Sequence, residues 1–118
     1  MRRLWALLLL FCAAPSGQSV RADELVMFER PGCVYCERWL KEVGPAYAMS
    51  EEGRKAPLRR VDLSLGMPKR LEALGRMRFT PTFVVLSCGQ EKGRILGYPG
   101  EAPFWGLLDR ILEEPASC

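Results

Sequence analysis

Apolar residues fall along this chain in short blocks separated by charged or turn-forming stretches. Leu25-Val26-Met27-Phe28 stands between Glu24 and Glu29 and is followed by Arg30-Pro31-Gly32, which predicts a short buried strand. From Cys33 the apolar positions Cys36, Leu40, Val43 and Tyr47 recur at helical spacing, with Glu37, Arg38, Lys41 and Glu42 between them. Gly44-Pro45 predicts a kink or break there, because proline lacks an N–H and clashes with the preceding turn, and a second helical piece runs on to about Glu52. Residues 53–57 read as a polar connection, and residues 58–63 as a second, less buried strand. A short helix over residues 69–74, closed by Gly75, leads to Thr80-Pro81. Phe83-Val84-Val85-Leu86 predicts a third strand, residues 87–93 a polar connection, and residues 94–98 a fourth strand returning as a hairpin. Phe104, Leu107, Leu108, Ile111 and Leu112 then mark one face of a last amphipathic helix, with Pro103 in its first turn. The order is βαβαββα, an α/β domain with a four-stranded sheet and flanking helices around a modest core.

The first residues have a different layout. Arg2-Arg3 precede an unbroken apolar run over residues 4–14, too short for the about 20 residues of a membrane span, and Val20-Arg21-Ala22 suits a signal-peptidase site. Residues 1–22 are therefore expected to be a signal peptide, and residues 23–118 the exported, periplasmic domain, beginning at Asp23. Phe11 before Cys12 argues against a lipoprotein signal. The formal charge of +3 belongs to this leader, since removing Arg2, Arg3 and Arg21 from 17 basic residues balances the 14 acidic ones. No basic stripe replaces it, so nucleic acid is not expected as a partner. Histidine is absent, which excludes Ser-His-Asp and Cys-His nucleophile systems and histidine-based metal sites.

Beyond the leader there remain Cys33, Cys36, Cys88 and Cys118, in a compartment where disulfides form and persist. Cys33 opens a helix, where unpaired backbone N–H groups and the positive end of the dipole favour a thiolate. Cys36 lies one turn on, within reach of a small disulfide ring and more shielded. Cys33 is thus expected to attack a substrate disulfide and Cys36 to resolve the mixed disulfide. A purely structural Cys33–Cys36 bridge would stabilise little, because the loop it closes is so small. A four-cysteine zinc site is disfavoured, since Cys88 and Cys118 do not repeat the short pair spacing, and no metal or cofactor is expected. Glu29, Arg30, Glu37 and Arg38 surround the pair, either tuning the thiolate or forming a solvated rim. Trp39, Tyr98, Phe104 and Trp105 read as core residues.

Strand, C-x-x-C, helix, and a later Thr80-Pro81 before an apolar strand together resemble the thioredoxin superfamily, over essentially all of residues 23–118. Among its small exported members, the chain resembles the thioredoxin-like proteins encoded with bacterial sulfur-oxidation (Sox) systems. The resemblance implies a mixed sheet, a cis Thr80–Pro81 bond set against the cysteine pair, and a Thr80 backbone that pairs with substrate. Val34 and Tyr35 would join Thr80 and Pro81 in substrate binding. The pair Val34-Tyr35 departs from the Gly-Pro of thioredoxins and the Pro-Tyr of glutaredoxins, Gly32 stands where thioredoxins carry tryptophan, and Met27 replaces their buried acid. Reduction, isomerisation and oxidation all stay open on these residues, with Thr80 leaning towards the first two. In such a fold Cys88 and Cys118 both fall at the end away from the active site, which predicts a structural Cys88–Cys118 disulfide, two free or intermolecular thiols being the alternative.

The function expected is that of a periplasmic thiol–disulfide oxidoreductase, a monomer acting on protein thiols, disulfides or cysteine adducts, in sulfur oxidation. A membrane thiol-electron carrier would re-reduce it, since nothing in the chain binds a flavin or nicotinamide. The alternative is a non-catalytic, redox-sensitive module that holds or regulates a partner.

Overall fold

The computed structural model describes residues 23–115. The expected signal peptide and Cys118 lie outside them. Strand β1 (Glu24–Glu29) occupies the middle of a four-stranded mixed sheet. It pairs in parallel with β2 (Leu58–Asp62) and antiparallel with β3 (Thr82–Ser87), and β4 (Gln90–Leu96) adds antiparallel to β3, giving the order β2-β1-β3-β4. The unbroken apolar run of β1 follows from this position, because both faces of a central strand are covered. Leu25 and Met27 face one layer, Val26 and Phe28 the other.

The first layer consists of α1 (Val34–Glu42), two short helices α2 (Gly44–Tyr47) and α3 (Glu51–Lys55), and α4 (Glu101–Glu113). Its centre is aromatic. Trp39 of α1, Phe83 of β3 and Phe104 of α4 are fully buried, with ring centroids 4.9–5.5 Å apart in tilted and edge-on contacts. The second layer is thinner: 3₁₀ turns at Leu63–Leu65 and Lys69–Leu74, with Leu71 and Met77, cover Val26, Phe28, Val84 and Leu86.

Three details differ from the sequence expectation. The helical leg after Gly44-Pro45 is two pieces, and residues 53–57 are not simply a connection, because α3 extends to Lys55. Ser50 starts it, its hydroxyl accepting from the Gly53 N–H at 2.9 Å, with Glu51 and Glu52 in the first turn and Arg54 and Lys55 in the last, as the helix dipole favours. The segment over residues 69–74 is 3₁₀ rather than α. The hairpin is tighter than its polar residues suggest: Ser87 pairs with Gln90, leaving Cys88 and Gly89 as a two-residue turn with φ of +51° and +77°, the backbone of a type I′ connection. Strand β4 therefore begins at Gln90 and stops at Leu96, so Tyr98 lies beyond it. A register shift leaves Lys92 unopposed, and its ammonium donates to Asp23 (2.9 Å) and to the Leu112 carbonyl (3.3 Å), tying the start of the domain and the end of α4 to this strand. The last helix, α4, starts at Glu101, which keeps Pro103 in its first turn as expected.

Candidate active site

Strand β1 ends at Glu29 and β3 begins at Thr82, and Phe28 stands opposite Thr82 in their antiparallel register. The segments after β1 and before β3 are therefore brought to one end of the sheet. The first carries Cys33, Val34, Tyr35 and Cys36; the second carries Phe79, Thr80 and Pro81.

Cys33 is the N-cap of α1, and its sulfur accepts the Cys36 backbone N–H at 3.1 Å. That bond, together with the first-turn N–H groups and the helix dipole, favours negative charge on Cys33 Sγ once the pair is reduced. The two cysteines form a disulfide with Cα atoms 5.2 Å apart. They are unequal in access: Cys33 is half-buried, whereas Cys36 is only 3% exposed and packs with Trp39, Phe83 and Phe104. An incoming sulfur therefore meets Cys33.

The Thr80–Pro81 peptide bond is cis. Pro81 is buried, and its carbonyl accepts from Gly97 N–H at 2.8 Å, which fixes this segment against the end of β4. Among the described residues, no backbone group hydrogen-bonds the N–H or C=O of Thr80. Beside it lies a groove of about 700 Å³ whose walls include Tyr35, Arg78, Phe79, Thr80, Leu96 and Tyr98. Val34, Tyr35, Phe79 and Leu96 are each more than half exposed, an apolar rim gathered around one disulfide.

A polar brace supports that rim. The Arg38 guanidinium lies 5.9 Å from the ring centres of both Tyr35 and Tyr98 and donates to Glu42 at 3.4–3.5 Å, while the Tyr98 hydroxyl donates to the other Glu42 oxygen at 2.6 Å. The hydrogen bond from Tyr98, followed by the Arg38 charge, holds the Glu42 carboxyl below the usual range. Burial and that same bond push the Tyr98 phenol up to about 12, so it stays a donor at neutral pH. Of the four charged residues thought to rim the pair, Glu29 turns away, bound twice by Arg60 at 2.7 Å, and Arg38 joins the brace. Phe79 and Leu96 are site residues that the sequence reading did not single out, and Tyr98, read as a core residue, is buried in the core and also lines the groove. Leu96 carries a legible sign, because Ile95 faces the core and its neighbour on the strand must face out.

Cys88 sits at the opposite end, in the hairpin turn, and is disulfide-bonded. Its expected partner, Cys118, lies outside the described residues. No group of three or more cysteine or carboxylate residues that could hold a metal exists among the described residues.

Comparison with known proteins decides the family. The periplasmic thioredoxin SoxS from Paracoccus pantotrophus, solved in its reduced form, is 46% identical, with a TM-score of 0.71 over 76% of this chain and 95% of that one. The chain belongs to the thioredoxin superfamily. This thioredoxin-like chain is a thiol–disulfide oxidoreductase, and its four-stranded mixed sheet with flanking helices is the thioredoxin-like fold. A thioredoxin from Thermus thermophilus is 25% identical, with a TM-score of 0.62 over 78% of this chain and 75% of that one. The Malassezia sympodialis thioredoxin Mala s 13, at 19% identity and a TM-score of 0.58 over 76% of this chain and 75% of that one, shares the fold. No family model and no curated relative matches the sequence.

Proposed function

We propose that this oxidoreductase is a periplasmic reductase of protein disulfides and cysteine adducts, with Cys33 as nucleophile and Cys36 as resolving thiol. The observation that carries the roles is the difference in access, a half-buried Cys33 that accepts a backbone N–H against a buried Cys36. Cys33 thiolate attacks the substrate disulfide, forming one S–S bond and breaking another, and the first substrate sulfur leaves and takes a proton. Cys36, as thiolate, then attacks Cys33 Sγ and expels the second substrate sulfur, so that the substrate gains two electrons and the enzyme closes its Cys33–Cys36 disulfide. The unpaired backbone of Thr80 holds an extended substrate segment in the groove, with Val34, Tyr35 and Pro81 against it. A membrane thiol-electron carrier returns two electrons to the pair, and the domain works as a monomer.

Similarity to a periplasmic thioredoxin supports the location, as does the leader layout of residues 1–22. The resemblance to the thioredoxin-like proteins of Sox systems supports a place in sulfur oxidation. Cys88 pairs with Cys118; the Lys92–Leu112 contact, which brings the end of α4 beside β4, supports that bridge.

Trapping tests the roles. Cys36→Ser should accumulate mixed disulfides on Cys33 in periplasmic extracts, and Cys33→Ser should not; their absence from both would leave only a binding role. Sequencing the exported protein should give Asp23 first, and non-reducing peptide mapping should recover Cys88 joined to Cys118. Equilibration with a glutathione series sets the direction, and a strongly oxidising pair would overturn the reductase reading.

A further inference from the structure

The active-site end has two unlike flanks. Towards β4 lies the apolar groove of Phe79, Leu96 and Tyr98, which Arg78 borders. Towards β2 lie two adjoining cavities of about 460 and 380 Å³ that share Arg30, Arg76 and Met77. The larger is completed by Arg78, so three of its four lining residues are arginines. The smaller continues over Leu63 and Met67 to Glu72, the one carboxylate lining either.

Among the described residues Arg38, Arg59, Arg60, Arg70 and Arg94 each meet a glutamate, whereas Arg30, Arg76 and Arg78, like the scattered Arg54 and Arg110, are exposed and form no ion pair; these three are the ones that share a cavity. Glu29, the acid nearest in sequence, is occupied by Arg60. They arrive from the two segments that also carry the chemistry: Arg30 precedes Cys33, whose N–H donates to the Arg30 carbonyl at 3.3 Å, and Arg76 and Arg78 precede Thr80. A protein whose mature charge balances thus keeps unpaired positive charge beside its reactive disulfide.

We infer that this basic face is a specificity site for an acidic segment of the protein substrate, on the flank of the reacting cysteine opposite the one that enters the apolar groove. The inference rests on the reductase reading above. Its physical basis is charge complementarity: guanidinium groups bind carboxylates in forked pairs and steer an oppositely charged partner into encounter. A substrate strand laid across Thr80 spans the sheet end from the β4 side to the β2 side, so one side of its cysteine meets aromatic and aliphatic surface and the other meets Arg30 and Arg76, with Arg78 at the boundary between the two.

The test uses the reduced protein and synthetic peptides bearing one cysteine as a thionitrobenzoate mixed disulfide, with release of the chromophore followed in single turnover. Each peptide has an apolar flank on one side of the cysteine and three glutamates on the other, made in both orders, each with a glutamine counterpart. In one order the glutamate peptide should react roughly tenfold faster than its glutamine counterpart at low ionic strength, as expected for two or three exposed charge pairs. The preference should shrink to below twofold near about 1 M salt, where the screening length is about 3 Å. The double variant Arg76→Gln/Arg78→Gln should abolish it and Arg110→Gln, on exposed α4 surface, should keep it. Because the readout is a ratio within each enzyme, altered folding or general reactivity cancels, and Arg30 is left intact so that the thiolate's surroundings do not change. Equal rates for glutamate and glutamine peptides in both orders, or a preference surviving the double variant, would overturn the proposal while the glutamine-peptide rates still upheld the reductase reading. No release from any peptide would overturn both.

Discussion

Phe104→Ala asks how much of this small domain depends on one ring, and whether the same ring keeps Cys36 secluded. Phe104 is fully buried on α4, with ring centres 4.9 Å from Phe83, 5.5 Å from Trp39 and 5.6 Å from Trp105. Truncating a buried phenylalanine costs about 3–5 kcal/mol in transfer and cavity terms. The upper half of that range is expected, because Trp39 is held by α1 and Phe83 by the central part of the sheet, so the cavity cannot collapse. A domain of this size has about 5–14 kcal/mol of stability in all, so the variant should fold with a thin margin. Urea denaturation of the oxidised protein, followed by tryptophan fluorescence, should show a midpoint lower by roughly 2–5 M at an unchanged slope of about 1–2 kcal/mol/M. Leu107→Ala on the same helix, where the side chain is 39% exposed, should move it by less than about 0.5 M. In the reduced variant, alkylation of Cys36 should quicken, since Phe104 belongs to the cluster that covers it. Equal midpoint shifts for the two variants would refute the assignment of α4's inner face, and unchanged Cys36 alkylation would show that the ring does not guard the resolving thiol.

Two further outcomes follow from the same structure. Gly53→Ala should lose roughly 2 kcal/mol or more despite alanine's helix preference of about 1 kcal/mol, because a Cβ there would stand 1.8 Å from the Tyr47 carbonyl oxygen; a neutral result in the same titration would contradict that contact. Burial, and then the neighbouring Glu52 carboxyl, raise the Asp109 pKa, so the folded state holds that proton more tightly than the unfolded chain. The sign is then fixed: this group's stabilising contribution is present below its ordinary value of 3.8 and is lost as pH rises through the raised folded value. Asp109→Asn should therefore match the parent below that pH and gain, after solvent screening, at most roughly 0.5 kcal/mol at neutral pH, whereas a gain that is constant across pH would rule out titration as its cause.

The fold and the reacting atoms were legible because each rests on local signals. A continuous apolar run implies a strand covered on both faces, i, i+3, i+4 spacing implies a helix with one buried side, and two cysteines three residues apart at a helix start are neighbours whatever the rest of the chain does. Boundaries were less legible where one side-chain contact or turn decides them, as with the Ser50 cap that extends α3 and the Cys88–Gly89 turn that starts β4 early. The groove and the basic face were legible only in the residues next to the cysteines and the proline, Tyr35, Thr80 and Arg30. Phe79 comes from one place in the chain and Leu96 and Tyr98 from another, while Arg30, the pair Arg76 and Arg78, and Leu63 with Met67 come from three, and nothing local marks these segments as neighbours. The sequence by itself determined the elements, the disulfide and the chemical class of reaction, since short-range periodicity and spacing encode them. Only the tertiary structure decided what surrounds Cys33, because the antiparallel pairing of β1 with β3 brings segments some fifty residues apart to one end of the sheet. That pairing sets an apolar groove on one side of the sulfur and the unpaired Arg30 and Arg76 on the other, with Arg78 between them.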